Sequence, residues 1–305
     1  MGKLIVSSSP HIRSKESINR IMWSTAAALM PAVGMGLYVF GLANLSNIIV
    51  SISVAVLTEA VCQKMMRRRV TIDDGSAVLT GLLLIMVLPP GLSWWMVAIG
   101  SFFAIAIVKQ LFGGLGYNIF NPALAARAAL LASFPIQMTR WLKPFDSLTT
   151  ATPLDVLKHD LSIELPSLWN LFIGKAGGCL GERSVLALLI GAGFLFLRKI
   201  ISWHVPFSYI GVVGLLSWIF GRDPLFSILA GGLILGAFFM ATDPVTTPLT
   251  KKGQLIFGTG CGIITVVIRQ WGGYPEGVCY SILLMNALTP LIDRYIKPKR
   301  LGIKK

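Results

Sequence analysis

Three hydroxyls lie close together in Thr149-Thr150-Ala151-Thr152-Pro153-Leu154, within a polar run over residues 146–155 of an otherwise apolar chain. A threonine oxygen can carry an ester, and Pro153 restricts the residue before it. The ring fixes φ at Pro153, removes a backbone donor and pushes Thr152 to an extended conformation. The expectation is one hydroxyl held rigidly and exposed. The alternative is a turn whose hydroxyls bond only local backbone.

Other residues offer less chemistry. Arg127 lies in Asn121-Pro122-Ala123-Leu124-Ala125-Ala126-Arg127, deep in an apolar stretch, where a guanidinium costs about 2.5–3.5 kcal/mol and needs a partner. Arg127 and Asn121 together form a candidate intramembrane polar site for an anion, a flavin or an ion path; pairing that serves packing alone is the other reading. For Asp73-Asp74-Gly75 and Asp243-Pro244 the functional reading is a cation path; the plainer one is a helix N-cap for the first pair, or neutralisation of Arg67, Arg68 and Arg69. Thr246-Thr247-Pro248 resembles the first threonine cluster but falls between basic and apolar segments, and is set aside.

Cys62, Cys179, Cys261 and Cys279 have no paired spacing, so they read as small apolar residues rather than iron–sulfur ligands. His11, His159 and His204 are scattered, and neither a metal centre nor a haem pair is expected. Without a dinucleotide fingerprint, P-loop or nucleophile elbow, NADH binding is not expected of this chain. Gly231-Gly232-Leu233-Ile234-Leu235-Gly236-Ala237 reads as close helix packing.

The elements that position these residues follow from composition. With 54% hydrophobic residues, 13% charged residues and a mean hydropathy of +0.74, the chain is read as an all-α integral membrane protein. A net charge of +14 is not gathered on a polar domain, so it argues for membrane topology and not for nucleic acid. Ten spans are expected, roughly over 20–42, 45–63, 75–89, 92–109, 119–135, 184–198, 205–221, 223–241, 254–269 and 277–296. No cleavable leader is expected, since residues 1–19 are mostly polar and the first apolar run is long enough to span.

Most of the 27 basic residues then fall on one side, with Arg140, Lys143, Lys158, Lys175, Arg183, Arg222 and Arg269 on the other and Arg127 in a span. The positive-inside rule places both termini in the cytoplasm and the long loop outside. Val108-Lys109-Gln110-Leu111-Phe112-Gly113-Gly114 mirrors Ile268-Arg269-Gln270-Trp271-Gly272-Gly273 in spans of opposite direction. Two inverted five-helix repeats follow: a cytoplasmic segment over 1–19, repeats over 20–135 and 184–296, the outer loop over 136–183 and a basic tail over 297–305.

The threonine cluster resembles the Ser/Thr-Gly-Ala-Thr-Pro-Leu pattern of a membrane family, the D subunit of Rnf electron-transport complexes and the B subunit of the sodium-translocating NADH:quinone reductase. Ser8-Ser9-Pro10-His11-Ile12-Arg13-Ser14-Lys15 and Phe112-Gly113-Gly114-Leu115-Gly116-Tyr117-Asn118-Ile119-Phe120-Asn121-Pro122-Ala123 extend the likeness over nearly the whole chain. In that family the last threonine of the pattern carries FMN through a phosphoester, which implies Thr152 here. Thr150 stands where the family has glycine, and Thr149 and Thr150 are the alternative acceptors.

The resemblance further implies electron transfer between ferredoxin and NAD, coupled to sodium or proton translocation. It implies partner subunits carrying flavin and iron–sulfur clusters, a second noncovalent flavin such as riboflavin, and a separate flavin transferase. The expected localisation is the cytoplasmic membrane of a bacterium or archaeon. A cofactor-free solute or ion transporter is the rival class, because inverted repeats are a transporter architecture; a scaffold that anchors redox partners is the third.

Overall fold

The structure, a computed structural model, describes residues 17–41, 43–142, 149–159, 165–174, 177–182, 184–274 and 276–297. The stretch from Ser8 to Lys15, residues 146–148 of the polar run and the basic tail beyond 297 lie outside the described residues.

Helices dominate because a backbone in lipid must satisfy its own hydrogen bonds. In chain order they begin with α1 (Ile18–Phe40), α2 (Ala43–Met65), α3 (Ser76–Val87), α4 (Trp94–Phe102), which continues as a π-helix over Phe103–Gln110, and α5 (Pro122–Ser133). A short turn α6 (Pro135–Met138) leads to the loop region, which holds strands β1 (Trp141–Leu142) and β2 (Thr149–Thr150) and helices α7 (Pro153–Lys158) and α8 (Leu168–Ile173). The remainder is α9 (Val185–Leu197), α10 (His204–Ile219), α11 (Pro224–Leu229), α12 (Leu233–Leu235) with a π-turn over Gly236–Met240, α13 (Lys251–Trp271) and α14 (Val278–Tyr295). Ile18–Phe40 and Asn44–Met65 are long and apolar enough to cross a membrane, and shorter apolar helices accompany them.

Large apolar side chains also stand on the surface. Tyr38, Leu57, Leu197, Trp218 and Leu249 all face outward, more than 60% exposed. Exposed apolar area on that scale marks contact with something other than water.

α2 lies along α3 and α4, α10 along α13, and α13 along α14; α1 packs on α9 and α5 on α14. Close approach needs missing side chains. A Cβ on Gly191 of α9 would sit 2.0 Å from the Ala28 carbonyl of α1, and one on Gly258 of α13 would sit 2.0 Å from the Ser208 hydroxyl of α10. Buried polar groups then fix the register. Tyr209 Oη bonds Thr265 Oγ1 at 2.7 Å and Ser281 Oγ at 2.9 Å, joining α10, α13 and α14. Lys109 Nζ donates to Glu59 Oε2 at 2.8 Å and Ser76 Oγ at 2.6 Å, joining the π-helix to α2 and α3.

Two sequence expectations change. Lys109 and Arg269, expected at the ends of two spans as charges facing opposite sides of the membrane, are only 1% and 5% exposed. Each is held inside by acceptors from another element, and for Arg269 these are the Ser227 and Ala230 carbonyls at 2.6 and 3.1 Å. Of the glycines read as packing positions, Gly236 fits, since its Cβ would lie 2.3 Å from Val278. Gly231 and Gly232 instead take φ of 69° and 66°, a left-handed turn that breaks α11 from α12.

Candidate cofactor-attachment site

Thr152 takes φ −71° and ψ 157°, the extended conformation that Pro153 imposes, and Pro153 opens α7 as its first residue. The threonine is the N-cap of that helix. Its hydroxyl donates to Asp155 Oδ2 at 2.7 Å and accepts the Asp155 N–H at 3.1 Å, while its own N–H donates to Asp155 Oδ2 at 3.2 Å. This reciprocal capping box satisfies donors that a helix start leaves orphaned.

The expected exposure of the hydroxyl is corrected: Thr152 is 3% exposed. Burial comes from distant chain. A pocket beside Thr152 is walled by Leu171, Gly177, Gly178, Glu182, Ala230 and Gly231. Glycines keep it open, because a Cβ on Gly177 would meet Thr150 Cγ2 at 3.0 Å and one on Gly231 would meet Leu154 at 2.3 Å. Thr150 lies on β2, paired with Trp141, and its hydroxyl donates weakly to the Ala151 carbonyl at 3.4 Å.

Lys158, at the other end of α7, docks the segment onto the end of α13. Its ammonium donates to the carbonyls of Ile268, Gly272 and Tyr274, the last at 3.0 Å. A cation there complements the helix C-terminus. Burial, then the nearby Arg222, lowers its pKa.

Behind Asp155 lies a second pocket, lined by Arg127, Met138, Trp141, Asp155, Tyr274 and Tyr280. The rings of Tyr274 and Tyr280 are stacked, with centroids 5.9 Å apart. Arg127 is salt-bridged to Glu276, a partner that nothing in the sequence pattern singles out. The Cys179 thiol and the carboxylates of Glu182 and Glu276 lie within 4.8 Å of one another. Burial pushes the Glu182 carboxyl up to about 7; Glu276 adds to the rise and Arg127 opposes it.

Arg127 and Asn121 do not share one site. Six positions apart, at the N-cap and in the second turn of α5, they are separated by about 9 Å of helix rise and point about a third of a turn apart. Asn121 caps α5, accepting from Ala123 N at 3.1 Å and Leu124 N at 3.3 Å, and lines a different cavity with Lys109 and Asp243.

The remaining residues find partners close by or in a neighbouring element. Asp74 Oδ1 accepts the Ser76 N–H at 2.7 Å, closing the turn into α3. Asp243 accepts from Val245 N at 3.3 Å, and Thr247 donates to the Ala241 carbonyl at 2.7 Å, so that threonine pair serves its own turn. Cys179 and Cys279 donate to the carbonyls of Val87 and Leu124.

A mostly helical chain with apolar surfaces inside and out, carrying a capped threonine in a glycine-walled pocket, belongs to a membrane class. A model of the NQR2, RnfD, RnfE family matches residues 5–302, and the chain belongs to that family. It is 50% identical to the D subunit of the proton-translocating ferredoxin:NAD(+) oxidoreductase complex of Clostridium ljungdahlii, over 98% of this chain and 96% of that one. It is 51% identical to the D subunit of the Na(+)-translocating ferredoxin:NAD(+) oxidoreductase complex of Acetobacterium woodii, over 99% and 96%. The D subunit of the ion-translocating oxidoreductase complex of Stutzerimonas stutzeri is 40% identical over 94% and 93%.

Proposed function

We propose that this chain is the membrane D subunit of an Rnf-type, ion-translocating ferredoxin:NAD+ oxidoreductase, and that it carries one FMN esterified to Thr152. The full-length similarity to D subunits carries the first part. The capped hydroxyl beside a glycine-walled pocket supports the second.

The residues offer such a group an anchor and part of its surroundings. Thr152 offers the ester oxygen, Gly177, Gly178 and Gly231 leave the space beside it, and Trp141, Tyr274 and Tyr280 offer aromatic faces on the far side of Asp155. FMN supplies the electron chemistry when bound; the protein supplies position and electrostatics. Lys158 fixes the segment to α13, and the Arg127–Glu276 ion pair gives the aromatic pocket a polar wall. Covalent attachment suits a cofactor outside the cytoplasm, where a reversibly held one would be lost by dissociation.

The reading includes ten spans in two inverted five-helix halves. It is supported by helices in each expected interval and by the pairing of first helix with first, α1 on α9, and last with last, α5 on α14. It also includes the cytoplasmic membrane as location, cytoplasmic termini, an outer flavin loop, the other Rnf subunits as partners, a flavin transferase for maturation and a second, noncovalent riboflavin. Two relatives of nearly equal identity use different ions, so overall similarity does not set the coupling ion.

The test is in-gel flavin fluorescence after denaturing electrophoresis, for wild type and Thr152→Ala, each co-produced with a flavin transferase. A fluorescent wild-type band that goes dark in the variant is expected. A fluorescent variant moves the bond to Thr149 or Thr150, and a dark wild type removes the covalent reading.

A further inference from the structure

We infer that Asp155 is the base for flavin attachment to its own chain: its carboxylate takes the Thr152 hydroxyl proton as that oxygen attacks phosphorus. The inference rests on the reading of Thr152 as acceptor and adds a residue to it.

The geometry is that of a nucleophile with its base already in place. A threonine hydroxyl at its ordinary acidity is a weak nucleophile and needs a group within hydrogen-bond reach, about 2.6–3.2 Å, to remove its proton. Asp155 Oδ2 lies 2.7 Å from Thr152 Oγ1, with the hydroxyl as donor. The Asp155 N–H occupies one lone pair of the same oxygen at 3.1 Å, which leaves the other lone pair for attack. Thr150 has no such arrangement, since its hydroxyl turns to the Ala151 carbonyl. The carboxylate therefore also distinguishes Thr152 from Thr150.

The pair is local. Acceptor and base are three residues apart in one helical turn, closed by a third hydrogen bond from Thr152 N to Asp155 Oδ2. Thr152 is buried in the folded chain, so a transferase must draw the segment out, and a base on another element would be left behind. A base on the same turn travels with the hydroxyl.

The step balances. A flavin adenine dinucleotide, held by the transferase, is the co-reactant. A bond forms between Thr152 Oγ1 and the FMN phosphorus, the pyrophosphate bond breaks, adenosine monophosphate leaves with the bonding electron pair, and the threonine proton passes to Asp155. No oxidation state changes.

The experiment measures initial rates of attachment on the full-length protein in detergent, with purified transferase and flavin adenine dinucleotide, by in-gel fluorescence and release of adenosine monophosphate. Asp155→Asn keeps the capping acceptor but removes the base, and Asp155→Glu restores a carboxylate. Asp155→Asn is expected to be slower by about 10²-fold or more, the usual contribution of a general base, with Asp155→Glu recovering most of the rate. Wild-type rates in Asp155→Asn overturn the inference. Equal losses in both variants also overturn it, because a carboxylate restored on the same turn then restores no rate. Labelling that persists in Thr152→Ala removes the acceptor reading itself, a result separate from these.

Discussion

Arg127 on α5 and Glu276 just before α14 stand 149 positions apart in sequence and meet as an ion pair between the two halves of the chain. Each side chain is 11% exposed, so neither charge has water to fall back on. Replacing Glu276 with Gln strands the guanidinium and is expected to cost about 3–5 kcal/mol, the range for breaking a buried pair from one side. Thermal unfolding in detergent measures it. The double change Arg127→Met with Glu276→Gln is expected to recover much of the loss, and an uncoupled pair would show additive losses instead.

Glu182 makes stability depend on pH in the direction opposite to a salt-bridged carboxylate. Its folded pKa is raised from 4.5 to about 7, so the neutral acid is favoured in the fold. The contribution is present below 4.5 and is lost as pH rises through about 7. Glu182→Gln is expected to flatten the fall in melting temperature between those values and to stabilise the protein near pH 8 by about 1–3 kcal/mol. A variant that keeps the wild-type pH profile would assign the dependence to another group.

The crossing of α1 and α9 tolerates no methyl group. With a Cβ at Gly191 placed 2.0 Å from the Ala28 carbonyl, Gly191→Ala must push two backbones apart. Destabilisation of about 1–3 kcal/mol is expected, as for overpacking. Gly193, where a Cβ meets nothing within 4 Å, is the control, and its alanine variant should melt with wild type.

Topology gives a further check. A reporter inserted after Lys158 should read as outside the cytoplasm, and one fused after Lys305 as cytoplasmic. The same side for both would break the ten-span scheme.

What the sequence disclosed was local. Pro153 after Thr152 announced the extended backbone, and α1 and α2 fell on the first two apolar runs, whereas the run over 223–241 is broken at Gly231 and Gly232. The capping box was also present as Thr-x-x-Asp, and it was the signal that would have pointed to Asp155. Burial of Thr152 could not be read, because it depends on Gly177, Gly178 and Gly231, which come from distant chain. Partners were equally hidden: Glu59 lies 50 residues from Lys109. An apolar run forces a charge to find a partner without saying which.

The hold of Lys158 on the last carbonyls of α13 ties the acceptor turn to a rigid rod. That lysine lies six positions after Thr152, and the short helix it ends leaves little slack. Any tilt or slide of α13 is therefore transmitted to the turn rather than absorbed in the loop. With a flavin on Thr152, as proposed, the distance over which its electron must hop would be set like a gauge, by the helix that holds the turn.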